Sequence, residues 1–222
     1  MNTTRIILLS ILMSLPVFQS QAQNQTDEIL SSVLLKFDEI AGFEADALIK
    51  VDVDFINIKD REVKISFTSP DKFDFDIKGL ALLPKNGFKM EYMDLLRSEY
   101  TAINAGPESI REQNTVIIKL IPESIDSDII LAQLWIDPVL ARIVRMKTFT
   151  RSSGSYLIDF FFGSPDIILP NKLEVVFDIK NINMLPGSMM NDLMSDGKLK
   201  DDSVPDEAKV TVEYNNLQIT KK

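Results

Sequence analysis

Residues Arg61–Gly87, REVKISFTSPDKFDFDIKGLALLPKNG, decide the fold. Val63, Ile65 and Phe67 alternate with polar residues before Ser69-Pro70, and Phe73, Phe75 and Ile77 alternate after it. Successive strand side chains point to opposite faces, so each triplet lines one side of its strand. Asp71, Lys72, Asp74, Asp76 and Lys78 mark the wet side. The stretch therefore reads as two amphipathic strands joined at a proline turn. So aromatic a face needs a cover, which can be a helix, a second sheet or a ligand.

Upstream, Thr26 opens a helix, with Asp27 and Glu28 in the first turn where the macrodipole favours anions. Ile29, Leu30, Val33, Leu34, Phe37 and Ile40 recur at helical spacing, and Gly42 supplies the stop. A long strand follows over Ala45–Phe55, where Ala47, Ile49, Val51, Val53 and Phe55 alternate with charge and Leu48 is the one exception. Asn57 to Asp60 turn the chain into the opening stretch.

Downstream, strand patterns return at short intervals: Thr115–Ile121, Ile129–Ile136, Arg142–Thr150, Tyr156–Phe162, Lys172–Ile179 and Lys209–Gln218. Asp137-Pro138 joins the second and third as a hairpin. Turn chemistry falls at Asn104–Pro107, Ser152–Ser155, Gly163–Asp166 and Pro170-Asn171. Phe88–Glu99 reads as a short helix or an irregular strand pair. Met184–Asp202 is a long connection holding Met184, Met189, Met190 and Met194. Loops beyond about 12 residues are uncommon and often functional. Flexible Met suits either an adaptable apolar cover or a packed loop. Phe160, Phe161 and Phe162 are consecutive, so both faces of their strand carry large apolar groups, and one face must meet something other than solvent. Asp126, Asp128, Asp137 and Asp201-Asp202 lack calcium-loop spacing and read as solvated loop charge.

Residues 1–22 read as an export signal cleaved after Ala22: Arg5, then the apolar run Ile6–Phe18, then Ser20-Gln21-Ala22 with small residues at −3 and −1. Residues 23–222 form a single domain, located in the periplasm. The chain contains no Cys, so no disulfide supports the fold, and a hydrophobic core must hold it unaided. The chain also contains no His, which removes the Ser-His-Asp and Cys-His nucleophiles and the usual zinc and iron ligand sets. No enzyme, catalytic residue, cofactor or metal is expected. A glycan-active enzyme needs two buried carboxylates about 5–10 Å apart, and no feature points to them. With 24 basic and 33 acidic residues the net charge is −9, which argues against nucleic acid and anionic membrane surfaces as partners.

These pieces, in this order, resemble the periplasmic lipoprotein carriers of the LolA/LolB type. ILSSVLLKFDEIAGFEADALIKV (Ile29–Val51) is similar to the carriers' first helix running into their first strand. VKISFTSPDKFDFDI (Val63–Ile77) is similar to their strand, proline turn and aromatic strand. Lys85–Gly87 sits where they have a D-G turn, and QLWIDPVLARIVRMK (Gln133–Lys147) is similar to a hairpin of outer-membrane lipoprotein-sorting proteins. The resemblance implies an α+β fold: a single strongly curved antiparallel sheet, an open half-barrel, with helices covering the concave face. Acyl chains of a lipoprotein or another lipid would bind between sheet and cover. Leu34, Phe37, Phe67, Phe73, Phe75, Ile77, Met189 and Met190 are the expected lining, with Leu30 in the cover. Where lipoprotein-chaperoning carriers have a lid-holding Arg before the turn proline, this chain has Ser69. The expected function is a soluble, monomeric carrier toward the outer membrane, with inner- and outer-membrane transport components as partners. The alternative is an interaction or envelope-sensor module of the same fold with a filled core.

Overall fold

The computed structural model describes residues 16–53, 56–57, 60–69, 72–75, 91–152, 154–178 and 207–222. They form helix α1 (Pro16–Asp38), strands β1 (Ile40–Val53), β2 (Ile56–Asn57), β3 (Arg61–Thr68) and β4 (Lys72–Phe75), and helix α2 (Glu91–Arg97). Strands β5 (Tyr100–Ile110), β6 (Gln113–Pro122), β7 (Ile129–Asp137), β8 (Arg142–Thr150), β9 (Ser155–Phe161), β10 (Lys172–Asp178) and β11 (Glu207–Lys221) complete the set. Among the described residues the strands join one antiparallel sheet in the order β4-β3-β1-β11-β10-β9-β8-β7-β6-β5, with β2 folded back on β1. The sheet is open, and β4 and β5 are its edges.

Its curvature follows from two contacts of α1. Thr26, near one end of the buried stretch, accepts a hydrogen bond from the Asn104 amide of β5 at 3.3 Å. Phe37, near the other end, meets Phe67 of β3 with ring centroids 6.0 Å apart. In a flat sheet β3 and β5 would stand about 38 Å apart, at about 4.8 Å per strand. The helix advances only about 16 Å from Thr26 to Phe37. Side-chain reach cannot close that gap, so the sheet bends and twists toward α1.

One sheet face is mainly apolar from β3 to β6. Phe67, Ile49, Val212, Val175, Ile158, Leu134 and Ile118 share it through cross-strand register, and all are buried. Against it α1 sets Ile29, Leu30, Val33 and Phe37, and α2 sets Met93, Leu95 and Leu96. Leu35, on the outer side of α1, is 68% exposed. The other sheet face carries charge in pairs: Lys50 with Glu213, Lys172 and Lys209 with Glu174, and Arg111 and Arg145 with Asp159.

Several expectations need correction. The helix starts at Pro16, not Thr26; proline suits a first helical position because its φ is preset and that N–H has no intrahelical partner. Thr26 is buried inside the helix instead of capping it. Gly42 does not end the helix. The chain leaves α1 at Asp38 and enters β1 at Ile40, and Gly42 lies in the strand where β3 approaches so closely that a Cβ would stand 2.7 Å from the Phe67 carbonyl oxygen. Asn57 belongs to β2, not to a turn.

Asn104–Pro107 is likewise no turn but part of β5. Gly106 takes φ 96° at a register shift, its N–H donates to Asn104 Oδ1 at 2.9 Å, and an edge strand tolerates Pro107. The turn that joins β5 to β6 is Arg111-Glu112, both at positive φ (49° and 63°), as a two-residue type I′ hairpin requires. Asp137 is buried, and its Oδ1 accepts the N–H groups of Val139 and Leu140. Glu91–Arg97 is helical, which settles that part of Phe88–Glu99.

Candidate functional site

Polar and aromatic contacts hold α1 against the sheet and against α2. The Phe37 ring stacks in a tilted row with Phe67 and Phe43, and Arg97 of α2 lies over it at 5.8 Å. Arg97 also pairs with Asp38. Lys36 donates to the Leu140 carbonyl in the β7–β8 turn at 2.7 Å. Near the other end, burial first and then the Asp27 carboxylate hold the Tyr100 hydroxyl above its ordinary pKa. The hydrogen bond at this end is the one from Asn104 to Thr26.

Between α1 and the β8–β9 side of the sheet lies a cavity of about 30 Å³, walled by Val33, Phe37, Met93, Phe160, Phe162 and Leu169. That admits one water and falls far short of an acyl chain. Two cations stand at its rim, Lys36 and Arg142. Arg142 opens β8 opposite Asp137, just beyond a register shift that pairs Ile136 with Ile143. It is 8% exposed, its guanidinium lies 4.4 Å over the Phe162 ring, and Nη1 donates to the Ser164 carbonyl at 3.3 Å. Its Nε is buried with no hydrogen-bond partner among the described residues. Burial pulls the Arg142 pKa below its ordinary value, with Asp137 opposing.

The larger hollows lie elsewhere. Two open grooves of about 420 and 450 Å³ cross β3, β1 and β11 on the charged face. Glu44, Asp46, Lys64, Asn216 and Gln218 line them where the β1–β11 register shifts, and their walls are about half polar and half apolar. Of these three hollows the cavity under α1, although small, has the most apolar walls.

Phe37 and Phe67 come together as expected, and Leu34 packs half-buried against the same core, with Leu30 buried beside it. Phe73 and Phe75 occupy β4, opposite Phe67 and Ile65 in register. Ile77, Met189 and Met190 lie outside the described residues, as does the Met184–Asp202 connection. Sequence reasoning missed Lys36 and Arg142. The run Phe160–Phe162 was the available signal: Phe160 and Phe162 wall the cavity. Phe161 turns to the charged face, where Arg111 and Lys172 cover its ring at 4.3 and 3.9 Å. The second apolar face of that strand thus meets cations.

No protein-family model matches the chain, and no curated protein matches it by sequence. Solved structures do resemble it. An outer membrane lipoprotein-sorting protein domain from Vibrio parahaemolyticus aligns over 89% of this chain and 93% of its own, with a TM-score of 0.59 and 9% identity. A DUF1329 family protein from Desulfovibrio piger aligns over 87% and 91%, with a TM-score of 0.51 and 10% identity. A LolA superfamily protein from Nitrosomonas europaea aligns over 86% and 94%, with a TM-score of 0.49 and 10% identity. At such identities the first two likenesses are ones of fold, and the fold is the open antiparallel half-barrel that the sequence resemblance implied.

Proposed function

We propose that the chain is an exported, periplasmic carrier that holds an acyl chain of a lipoprotein or another lipid between α1 and the apolar sheet face, for transport toward the outer membrane. The observation that carries this reading is a broad, mainly apolar face bending toward an amphipathic helix attached by a few polar ties. Leu34, Phe37, Phe67, Phe73, Phe75, Ile77, Met189 and Met190 are its proposed lining. Magnitudes favour a displaceable cover. Transfer of a C16 chain from water contributes roughly 10 kcal/mol before ordering costs, at about 0.8 kcal/mol per CH₂. Each polar tie of α1 contributes only about 1 kcal/mol. A ligand chain can therefore shift the helix and let its apolar stripe repack on the ligand.

One observation favours the alternative. The cavity beneath α1 holds about 30 Å³, which suits an interaction or sensor module with a self-filled core. Native mass spectrometry and lipid extraction of protein purified from an envelope fraction, with fluorescent fatty-acid uptake, separate the two. A carrier brings lipid with it and takes up the probe. A lipid-free protein that also fails to bind the probe would sink the carrier reading.

A further inference from the structure

Arg142 is a buried charge that forms no ion pair among the described residues, although the Asp137 carboxylate acts on it from nearby. Its polar partner among the described residues is the Ser164 carbonyl, its Nε donates to nothing, and its guanidinium otherwise rests on the Phe162 ring. Asp137, its neighbour across the hairpin, has committed Oδ1 to two backbone N–H groups. A buried ion is expensive unless paired, and an orphaned donor on it adds to that cost. Lys36 stands at the same rim and donates to one carbonyl, leaving further N–H donors. Behind both cations the walls are hydrocarbon and aromatic. Cations at a mouth with an apolar wall behind them match a ligand with an anionic head and a hydrocarbon tail.

We propose that Lys36 and Arg142 bind the carboxylate or phosphate head of an anionic single-chain amphiphile whose tail enters beneath α1. This deepens the carrier reading and rests on it. A planar guanidinium offers a donor pair suited to either head group, and lysine supplies a second positive charge. Lys36 belongs to the cover and Arg142 to the sheet, so one head group ties the two together and draws α1 back over the inserted tail. A neutral lipid of equal length fills the same walls without closing that link.

Displacement of a fluorescent fatty acid by oleate, oleyl phosphate, oleyl alcohol, acetate and inorganic phosphate tests this on wild type, Arg142→Met and Lys36→Met. Folding is checked by circular dichroism; Lys36 is half-buried on a helix surface, so its variant keeps the test available should Arg142→Met fail to fold. Oleate and oleyl phosphate are expected to bind wild type about tenfold to a hundredfold more tightly than oleyl alcohol. Either substitution should collapse that ratio toward one. Oleyl alcohol binding wild type as tightly as oleate, or a ratio unchanged in both variants, overturns the head-group assignment and leaves the carrier reading standing. Inorganic phosphate binding as tightly as oleyl phosphate overturns it in favour of a free anion. If no long-chain compound displaces the probe, or the probe itself does not bind, both readings fall.

Discussion

Gly42→Ala and Gly163→Ala should move stability in opposite directions, and the structure says why. Neither glycine has a left-handed backbone, so alanine at either position would ordinarily stabilise by about 0.4–1 kcal/mol through a less free unfolded chain. At Gly163 nothing opposes this: the new Cβ would meet Ile167 Cδ1 at 3.6 Å, an ordinary contact. At Gly42 the new Cβ would stand 2.7 Å from the Phe67 carbonyl oxygen, where carbon–oxygen contacts between strands sit at about 3.3–3.6 Å. That oxygen is backbone and cannot rotate away, so β1 and β3 must part by about half an ångström or more at this point. Overpacking of this kind costs about 1–3 kcal/mol, which leaves a net loss of about 1–2 kcal/mol. For a domain of this size that lowers Tm by about 2–8 °C. Thermal melts and urea midpoints measure both variants. Hydrogen exchange in Ile29–Phe37 should also quicken in the Gly42 variant, because displacing β3 moves Phe67 away from Phe37. If Gly42→Ala melts at or above wild type, the close-approach argument is wrong.

On the charged face, Asp159→Asn removes the carboxylate that receives Arg145 through Nε and Nη2, both at 2.8 Å, and Arg111 at 3.1 Å. Two guanidinium groups are left facing a neutral amide, and urea unfolding should show a loss of about 1–3 kcal/mol after allowance for their partial exposure; a change within a few tenths would refute it. Glu174 accepts from Lys172 at 3.0 Å and pairs with Lys209 at 2.9 Å. Burial pushes its carboxyl pKa up, but the two lysine hydrogen bonds outweigh that and leave it below the ordinary value. A depressed folded pKa contributes stability above the unfolded pKa, about 4.3, and loses it as pH falls through the folded value. The stability gap between wild type and Glu174→Gln should therefore be full at pH 7 and close in the acid limb below about pH 4. A gap that widens on acidification contradicts the assignment.

The strands that pack one face on the core and leave the other wet were legible, because that environment imposes a period of two. β3 and β6 to β10 show it in their residue order, and Asp137-Pro138 marks the β7–β8 hairpin. β5 was not legible, since Asn104-Ala105-Gly106-Pro107 has the composition of a turn and only its edge position makes a bulged strand of it. The Arg111-Glu112 turn carries no glycine or asparagine to announce its positive φ values. Phe37 and Phe67 could be anticipated from apolar spacing alone. Arg142 could not: it stands at the strand end, where the Phe162–Pro170 connection closes over it, and no local pattern encodes that packing. Lys36 lies in the last turn of α1, where a basic residue already has a reason to be.

The strand order also bears on when the molecule can fold. β1 and β11 lie side by side in mid-sheet, with Ile40 opposite Lys221, although they come from opposite ends of the described chain. On the ribosome β5 to β10 can assemble as consecutive hairpins while β1, β3 and β4 remain a separate fragment. Neither fragment has its central neighbour until β11 is made. Pairing of this kind closes loops nearly as long as the chain, so it comes late and slowly. The delay is built into the order of the strands, not into any one of them.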